Sequence, residues 1–207
     1  MKKFYKLKKI NNISQELTLS FQKLPLDSYT KANYDFRKRR FSIGKFNYNK
    51  VIHWYTNNVF FQSLETNSYN GNLNRNFENI DDNVLKEIET QILPNIICEL
   101  PLSEYQVGIH QIRVFSEDNT LGLVAPEGIH QDGFKFLAIC CIAKKNISGA
   151  ITQIIDQDKI TIVYEKALNP FDLIIFNDEI FYHYTSSFKS KNNKIESYRD
   201  VFVFTFK

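Results

Sequence analysis

Apolar residues change their spacing about halfway along the chain. Before Tyr105 they recur at helical intervals in two places. Ile13, Leu17, Phe21 and Leu24 form the first set, with Ser14 near the start as a cap and Pro25 at the end. Leu85, Ile88 and Ile92 form the second, within a helix expected over Asp82 to Leu93; Asp81 and Asp82 suit the dipole at its start, and Pro94 follows. Between them, Tyr34 to Phe46 alternates aromatic and basic side chains, which predicts a strand pair or an extended arm. Val51 to Phe61 predicts a further strand, and Ser68-Tyr69-Asn70-Gly71-Asn72 is turn chemistry. The first ten residues are basic, show no clear period, and are expected to extend or fray.

From Tyr105 onward the period falls to that of short strands. They are expected at Gln106–Phe115, Phe136–Ala143, Ala150–Ile155, Thr161–Tyr164, Asp172–Phe176, Phe181–Thr185 and Arg199–Phe206. Polar clusters such as Ser116-Glu117-Asp118-Asn119, Lys144-Lys145-Asn146 and Lys189–Asn193 separate them. Many short strands without intervening helices predict a mainly β fold, a sandwich or barrel of jelly-roll type. One domain spanning 1–207 is expected: helices and flanking strands over 1–104, and a jelly-roll core over 105–207 that carries the chemistry.

Composition changes this picture little. At 207 residues, 43% hydrophobic and 14% aromatic, the chain has ample material for one core, and a formal charge of +3 points to no particular partner. Basic residues cluster at Lys2, Lys3, Lys6, Lys8 and Lys9 and again at Arg37, Lys38, Arg39 and Arg40. Each cluster reads first as a solvated face or tail and second as a phosphate-binding patch. Polar residues at Asn11, Asn12 and Ser14 break any signal-peptide core, and no apolar run is long enough to span a bilayer. Cys98, Cys140 and Cys141 form no disulfide framework or zinc motif and read as buried thiols of a cytoplasmic protein.

The candidate chemistry centres on Pro126-Glu127-Gly128-Ile129-His130-Gln131-Asp132-Gly133. In extended backbone, His130 and Asp132 point to the same side while Gln131 faces away. His-x-Asp also occurs in ordinary surface turns, so a metal site needs a third ligand. His183, in Phe181-Tyr182-His183-Tyr184, is the candidate, and a packed core histidine is the competing reading. Two histidines and a carboxylate on one face are the non-haem Fe(II) oxygenase arrangement. Asn177 or Asp178 is placed to orient an imidazole N–H, although turn formation alone accounts for both. Arg199 shares one face of the last strand with Val201, Val203 and Thr205, opposite Asp200, Phe202, Phe204 and Phe206. Facing a lumen, its guanidinium needs an anion and suits the far carboxylate of a dicarboxylic cosubstrate; on a strand edge it is merely exposed. Gln111 and Arg113 share a face of their strand and, pointing inward, would supply substrate-binding groups.

Taken together, several segments resemble one family. The Pro126–Gly133 stretch, Asn146-Ile147-Ser148-Gly149, Asn177-Asp178 with His183, and Arg199 to Phe206 look like the bacterial Fe(II)/2-oxoglutarate dioxygenases that hydroxylate free L-amino acids, the isoleucine dioxygenase group. Upstream, Leu24-Pro25-Leu26-Asp27, Phe36 to Ser42, Phe61-Gln62-Ser63 with Arg75-Asn76-Phe77, and His110 to Arg113 extend the likeness over roughly residues 20 to 207. The resemblance implies a double-stranded β-helix (jelly-roll, cupin-like) core, His130, Asp132 and His183 as iron ligands, Arg199 as the 2-oxoglutarate anchor, and Fe(II), 2-oxoglutarate and O2 as the reaction's requirements. A carboxylate at Asp132 implies hydroxylation, because the halogenases of this broader fold leave that position free. Two departures stand out. Ala150 follows Gly149 where a second glycine is expected, and Val201 stands where distant relatives carry a hydroxyl.

The expected partner is a small-molecule substrate, a free L-amino acid, with no nucleic acid and no membrane. Two other readings stay open. One is a dioxygenase acting on a peptide, carrier-bound amino acid or natural-product intermediate. The other is a non-catalytic β-barrel that binds or senses a ligand.

Overall fold

A computed structural model describes residues 4–46, 52–56, 58–67, 69, 71–101, 105–117 and 120–207. In chain order these form β1 (Tyr5–Lys9), α1 (Gln15–Leu19) closed by a 3-10 turn (Ser20–Lys23), β2 (Arg37–Phe46), β3 (Ile52–Trp54), β4 (Val59–Phe60) and β5 (Arg75–Asn76). Helices α2 (Asp82–Gln91) and α3 (Leu93–Ile97) follow, then β6 (Tyr105–Ser116), β7 (Phe136–Lys145), β8 (Ile147–Gly149), β9 (Thr152–Ile155) and β10 (Ile162–Lys166). The chain ends with β11 (Asp172–Asn177), β12 (Tyr182–Thr185), β13 (Phe188–Ser190) and β14 (Ser197–Phe206). Every expected strand after Tyr105 is present, with ends shifted by a residue or two. The expectations placed on Lys2, Lys3, Val51, Ser68, Asn70, Asp118 and Asn119 lie outside the described residues.

The architecture is a jelly roll. A seven-stranded antiparallel sheet has the order β1-β11-β7-β14-β6-β2-β3, and a three-stranded sheet, β10-β9-β12, packs against part of it. β14 lies at the centre and explains the arrangement. Phe202, Phe204 and Phe206 alternate to one side and are buried with Leu17, Phe21, Leu85 and Ile88 beneath the helices. Val201 and Val203 alternate to the other side, where Leu137, Ile139 and Ile154 join the two sheets. A period of two thus gives one strand two different neighbourhoods. Where β14 pairs with β7 the register shifts between Asp200 and Val201: Asp200 pairs with Ala143 and Val201 with Cys141, so Ile142 of β7 is the bulged residue.

Several expectations need correcting. Tyr5–Lys9 does not fray; it is an edge strand paired with β11, and its lysines suit an edge that must not pair further. Tyr34 to Phe46 contains one long strand rather than a pair. Pro94 does not end the helical region, because a new helix begins at Leu93 and proline is tolerated in its first turn. Cys98 is exposed, whereas Cys140 and Cys141 are buried. Ser14 does cap the first helix, its Oγ accepting from the Leu17 N–H at 3.2 Å. The helices sit with β1–β3 rather than apart from them: residues before Tyr105 supply three of the seven large-sheet strands. No helix among the described residues is long and apolar enough to cross a membrane.

Candidate metal and cosubstrate site

Between the two sheets lies a cavity of about 120 Å3, and His130, Asp132, His183 and Arg199 all line it. The histidines come from distant segments joined by a short antiparallel bridge. The His130 N–H donates to the His183 carbonyl at 3.1 Å, and the His183 N–H donates to the His130 carbonyl at 2.8 Å. Cross-strand pairing makes the imidazoles neighbours, with ring centroids 4.2 Å apart. Gly128 and Gly133, both at φ +82°, bracket the loop that presents His130 and Asp132. Such left-handed turns favour glycine.

One donor atom from each of His130, Asp132 and His183 falls within 4.8 Å of the others, close enough to hold one metal ion. The carboxylate spans the pair: Asp132 Oδ1 is 3.5 Å from His130 Nε2, and Oδ2 is 3.7 Å from His183 Nε2. The outer nitrogens differ in their surroundings. His130 Nδ1 is 2.8 Å from the Gly128 carbonyl, which can only accept, so the proton sits on Nδ1 and Nε2 is left for a metal. His183 Nδ1 faces Asp178 Oδ1 at 3.4 Å. Asp178 is fully buried, and its other oxygen accepts from the Gly133 and Phe134 N–H groups at 2.9 and 3.1 Å. This one carboxylate therefore holds the loop carrying Asp132 and lies beside the His183 ring without a hydrogen bond to it. Gln62 donates to Asp132 Oδ1 at 3.0 Å and fixes the third donor.

Electrostatics agree with a cation site. Burial by itself would lower the pKa of His130, but Asp132, Glu127 and the Gly128 carbonyl outweigh it and raise it to about 9. Burial likewise opposes ionisation of Asp132, yet the two imidazoles and Gln62 hold its pKa well below the usual carboxylate range. The donor set of two neutral-capable nitrogens and one carboxylate fits a divalent first-row metal and leaves its other positions open.

Arg199 is 3% exposed, and its Nη2 has no hydrogen-bond partner among the described residues. Burial without a paired carboxylate lowers its pKa, only partly offset by Cys141 and Asp200. An unpartnered guanidinium nitrogen in a cavity is completed by an anion. The departure at Val201 matters little to the wall itself, because Thr185 lines the same cavity and carries a hydroxyl.

Gln111 and Arg113 do not face this cavity, which corrects the expectation placed on them. On β6 the inward residues are His110, Ile112 and Val114. Gln111 points to the helix side and donates to Ser20 Oγ at 2.7 Å. Arg113 is engaged in a two-pronged pair with Asp200, Nε–Oδ1 and Nη2–Oδ2 both at 2.7 Å, and stacks on Tyr198 with its guanidinium carbon 4.0 Å from the ring centre. The shared-face reading was right about the pair and had the wrong side.

The cluster Arg37 to Arg40 is not a solvated face either. Arg37 and Arg39 turn inward, 8% and 6% exposed, and both line the cavity. Lys38 and Arg40 turn away, Arg40 pairing with Glu78 and Asp81. Strict alternation in β2 carried this signal, obscured by the uniform charge of the run. His110, passed over as one residue of a strand, lies 3% exposed with its ring stacked on Phe41.

The departure at Ala150 has a structural counterpart. Ala150 adopts a left-handed φ of +55°, a conformation glycine accepts at less cost.

Known proteins sharpen these findings. The family described as 2OG-Fe dioxygenase matches residues 18–205. A comparison with curated protein sequences returned no match. Among solved structures, a bsmA homolog from Methylobium petroleophilum PM1 is similar with a TM-score of 0.81 at 19% identity, over 92% of this chain and 79% of that one. IDO from Bacillus thuringiensis is similar with a TM-score of 0.74 at 18% identity, over 97% and 90%. The Fe(II)/(alpha)ketoglutarate-dependent dioxygenase TqaL gives 0.63 at 14% identity, over 95% and 76%. At these identities the structural likeness is one of fold, and the family match carries the chemistry. The chain belongs to the 2OG-Fe dioxygenase family and is a dioxygenase dependent on Fe(II), 2-oxoglutarate and O2.

Proposed function

We propose that this enzyme hydroxylates a small substrate, a free L-amino acid, with release of succinate and CO2. His130, Asp132 and His183 are its iron ligands, and Arg199 holds the distal carboxylate of 2-oxoglutarate. The observation that carries this reading is a convergence. Two imidazole Nε2 atoms, one carboxylate and one unpartnered arginine nitrogen line a single cavity. Thr185, on the same wall, supplies the hydroxyl that Val201 does not. Family membership removes the reading as a non-catalytic barrel. The buried pair Cys140 and Cys141 suits a reducing compartment such as the cytoplasm.

Bound Fe(II) and 2-oxoglutarate supply the oxidising chemistry; the chain positions and shields it. Gly128 orients the His130 imidazole, and the antiparallel bridge sets that of His183 beside it. Gln62 holds Asp132 in the carboxylate form by donating to it. Arg199 is held without competing partners, so a dicarboxylate enters in one orientation. Leu137, Ile139, Val201 and Val203 line the space between and keep it dry.

Incubation with Fe(II), 2-oxoglutarate and O2 against each free L-amino acid tests the substrate assignment. One amino acid or a small related set is expected to yield succinate and hydroxylated product in equal amounts. Silence across all of them, with the iron and cosubstrate complex intact, would reject free amino acids and direct the search to larger substrates.

A further inference from the structure

Arginines beyond Arg199 face this cavity, and their pairing separates them. Arg37 is neutralised, its Nε 2.7 Å from Asp27 Oδ2. Arg39 and Arg75, 6% and 2% exposed, form no ion pair with a carboxylate among the described residues. Each makes one polar contact from its far end. Arg39 Nη2 lies 2.6 Å from His110 Nδ1, and Arg75 Nη2 lies 2.7 Å from Gln62 Oε1. Each has a buried Nε with no hydrogen-bond partner. Both guanidinium groups lie over the ring of Phe60, the Arg39 carbon 5.2 Å and the Arg75 carbon 4.5 Å from its centre.

A guanidinium only donates, so His110 must accept at Nδ1 and carry its own proton on Nε2. Burial and the nearby arginines keep His110 neutral, holding its pKa well below the ordinary value. Neither partner of the two arginines therefore carries negative charge. Asp27 and Asp132 act on both arginines, and Glu127 on Arg75, only at a distance; Asp27 is already paired with Arg37, and Asp132 is committed to the metal. Two desolvated cations beside one another repel, and surface chemistry alone gives no reason to bury them. They become favourable when an anion enters between them.

We infer that Arg39 and Arg75 form a second anion site, which clamps the carboxylate of the substrate. The inference rests on the proposed oxygenase site and adds the group by which substrate is recognised. Gln62 ties the clamp to the metal, since its amide donates to Asp132 while its oxygen accepts from Arg75. A substrate held by its carboxylate at this clamp is thereby set at a fixed distance from the metal, with no need to ligate it. The arginines then divide the labour, Arg199 taking one carboxylate and Arg39 with Arg75 the other. A substrate lacking a carboxylate leaves both guanidinium groups uncompensated and is discriminated against for that reason.

The test is NMR of 15N-labelled protein with zinc in place of iron and saturated with 2-oxoglutarate, so that Arg199 is occupied. The Nε–H signals of Arg39 and Arg75 are assigned by their loss in R39Q and R75Q. Titration with free L-amino acids, with the matching amides and with acetate is expected to move both signals saturably for the carboxylates. The amides are expected to bind about tenfold or more weakly, and either variant to weaken the acids by a similar factor while 2-oxoglutarate still binds. Movement by acetate but by no amino acid would keep the clamp and reject the free amino-acid reading. Amino acids that perturb other signals and leave these two in place would overturn the clamp and leave that reading standing. Amides binding as well as acids, or no carboxylate moving either signal, would likewise overturn it.

Discussion

The two faces of the seven-stranded sheet are built from the same strands and solve opposite problems. On the helix side, β14 offers Phe202, Phe204 and Phe206, which pack with Phe21, Leu17 and Ile88 into an apolar core, and the buried charge of Asp200 on that face is met by Arg113. On the cavity side the same strand offers Arg199, Val201 and Val203, and its neighbours add His110, Arg37 and Arg39. One face is filled and satisfied. The other carries buried nitrogen atoms without partners on Arg39 and Arg199. Stability and function therefore reside on alternate residues, and a one-residue difference in position separates a structural effect from a chemical one.

The comparison can be broken most severely on the cavity side. Asp132→Ala is expected to abolish metal binding and succinate formation and, above about pH 9 where His130 is neutral, to leave the melting temperature little changed, as metal titration and calorimetry would read. A protein that melts much earlier would mean that the carboxylate also holds the fold. On the helix side, Phe202→Ala should do the reverse. It is expected to cost about 3–5 kcal/mol in denaturant unfolding and leave metal affinity of the folded protein intact. Arg113→Ala gives a third contrast: a buried arginine outside the cavity. It leaves Asp200, which is fully buried, without its partner, so a loss of about 3–5 kcal/mol is expected, with unchanged substrate affinity.

Two smaller effects sharpen the cavity side. Arg199→Gln removes charge-assisted bonds to a carboxylate and is expected to weaken 2-oxoglutarate by about tenfold to a hundredfold. Metal affinity should also depend on pH. In the metal-free protein the His130 pKa is raised from 6.5 to about 9, so a proton must leave before metal binds. Affinity is expected to rise by about tenfold per pH unit up to that value and then level off. The sign for folding is opposite. A raised histidine pKa stabilises the metal-free protein fully below 6.5, and that contribution is lost as pH climbs through about 9. Melting curves of metal-free protein across this window read it directly.

Much of this was legible in the sequence because alternation is a strong signal. The spacing of His130 and Asp132, the two faces of Arg199 to Phe206, and the strand series after Tyr105 all follow from a period of two. What alternation does not encode is which face meets which neighbour. Gln111 and Arg113 were correctly paired, but only the packing of Ser20 and Asp200 decides that they point away from the cavity. Arg39 hid in a run of four basic residues whose burial depends on Phe60 and Phe77, which lie across its guanidinium and belong to segments far along the chain. The strand at Tyr5–Lys9 was missed because an edge strand needs no hydrophobic alternation and here carries lysines. The meeting of His130 with His183 rests on a two-residue bridge that no local pattern announces.

The most direct measurement is the visible spectrum of the anaerobic protein reconstituted with Fe(II) and 2-oxoglutarate, with His183→Ala and Arg199→Gln alongside. A weak charge-transfer band of the chelated cosubstrate is expected in the wild type. It should be absent in His183→Ala and should require far more 2-oxoglutarate in Arg199→Gln. Iron-loaded wild-type protein without the band, or a His183→Ala variant that retains it, would contradict the assignment of this cavity as the metal and cosubstrate site.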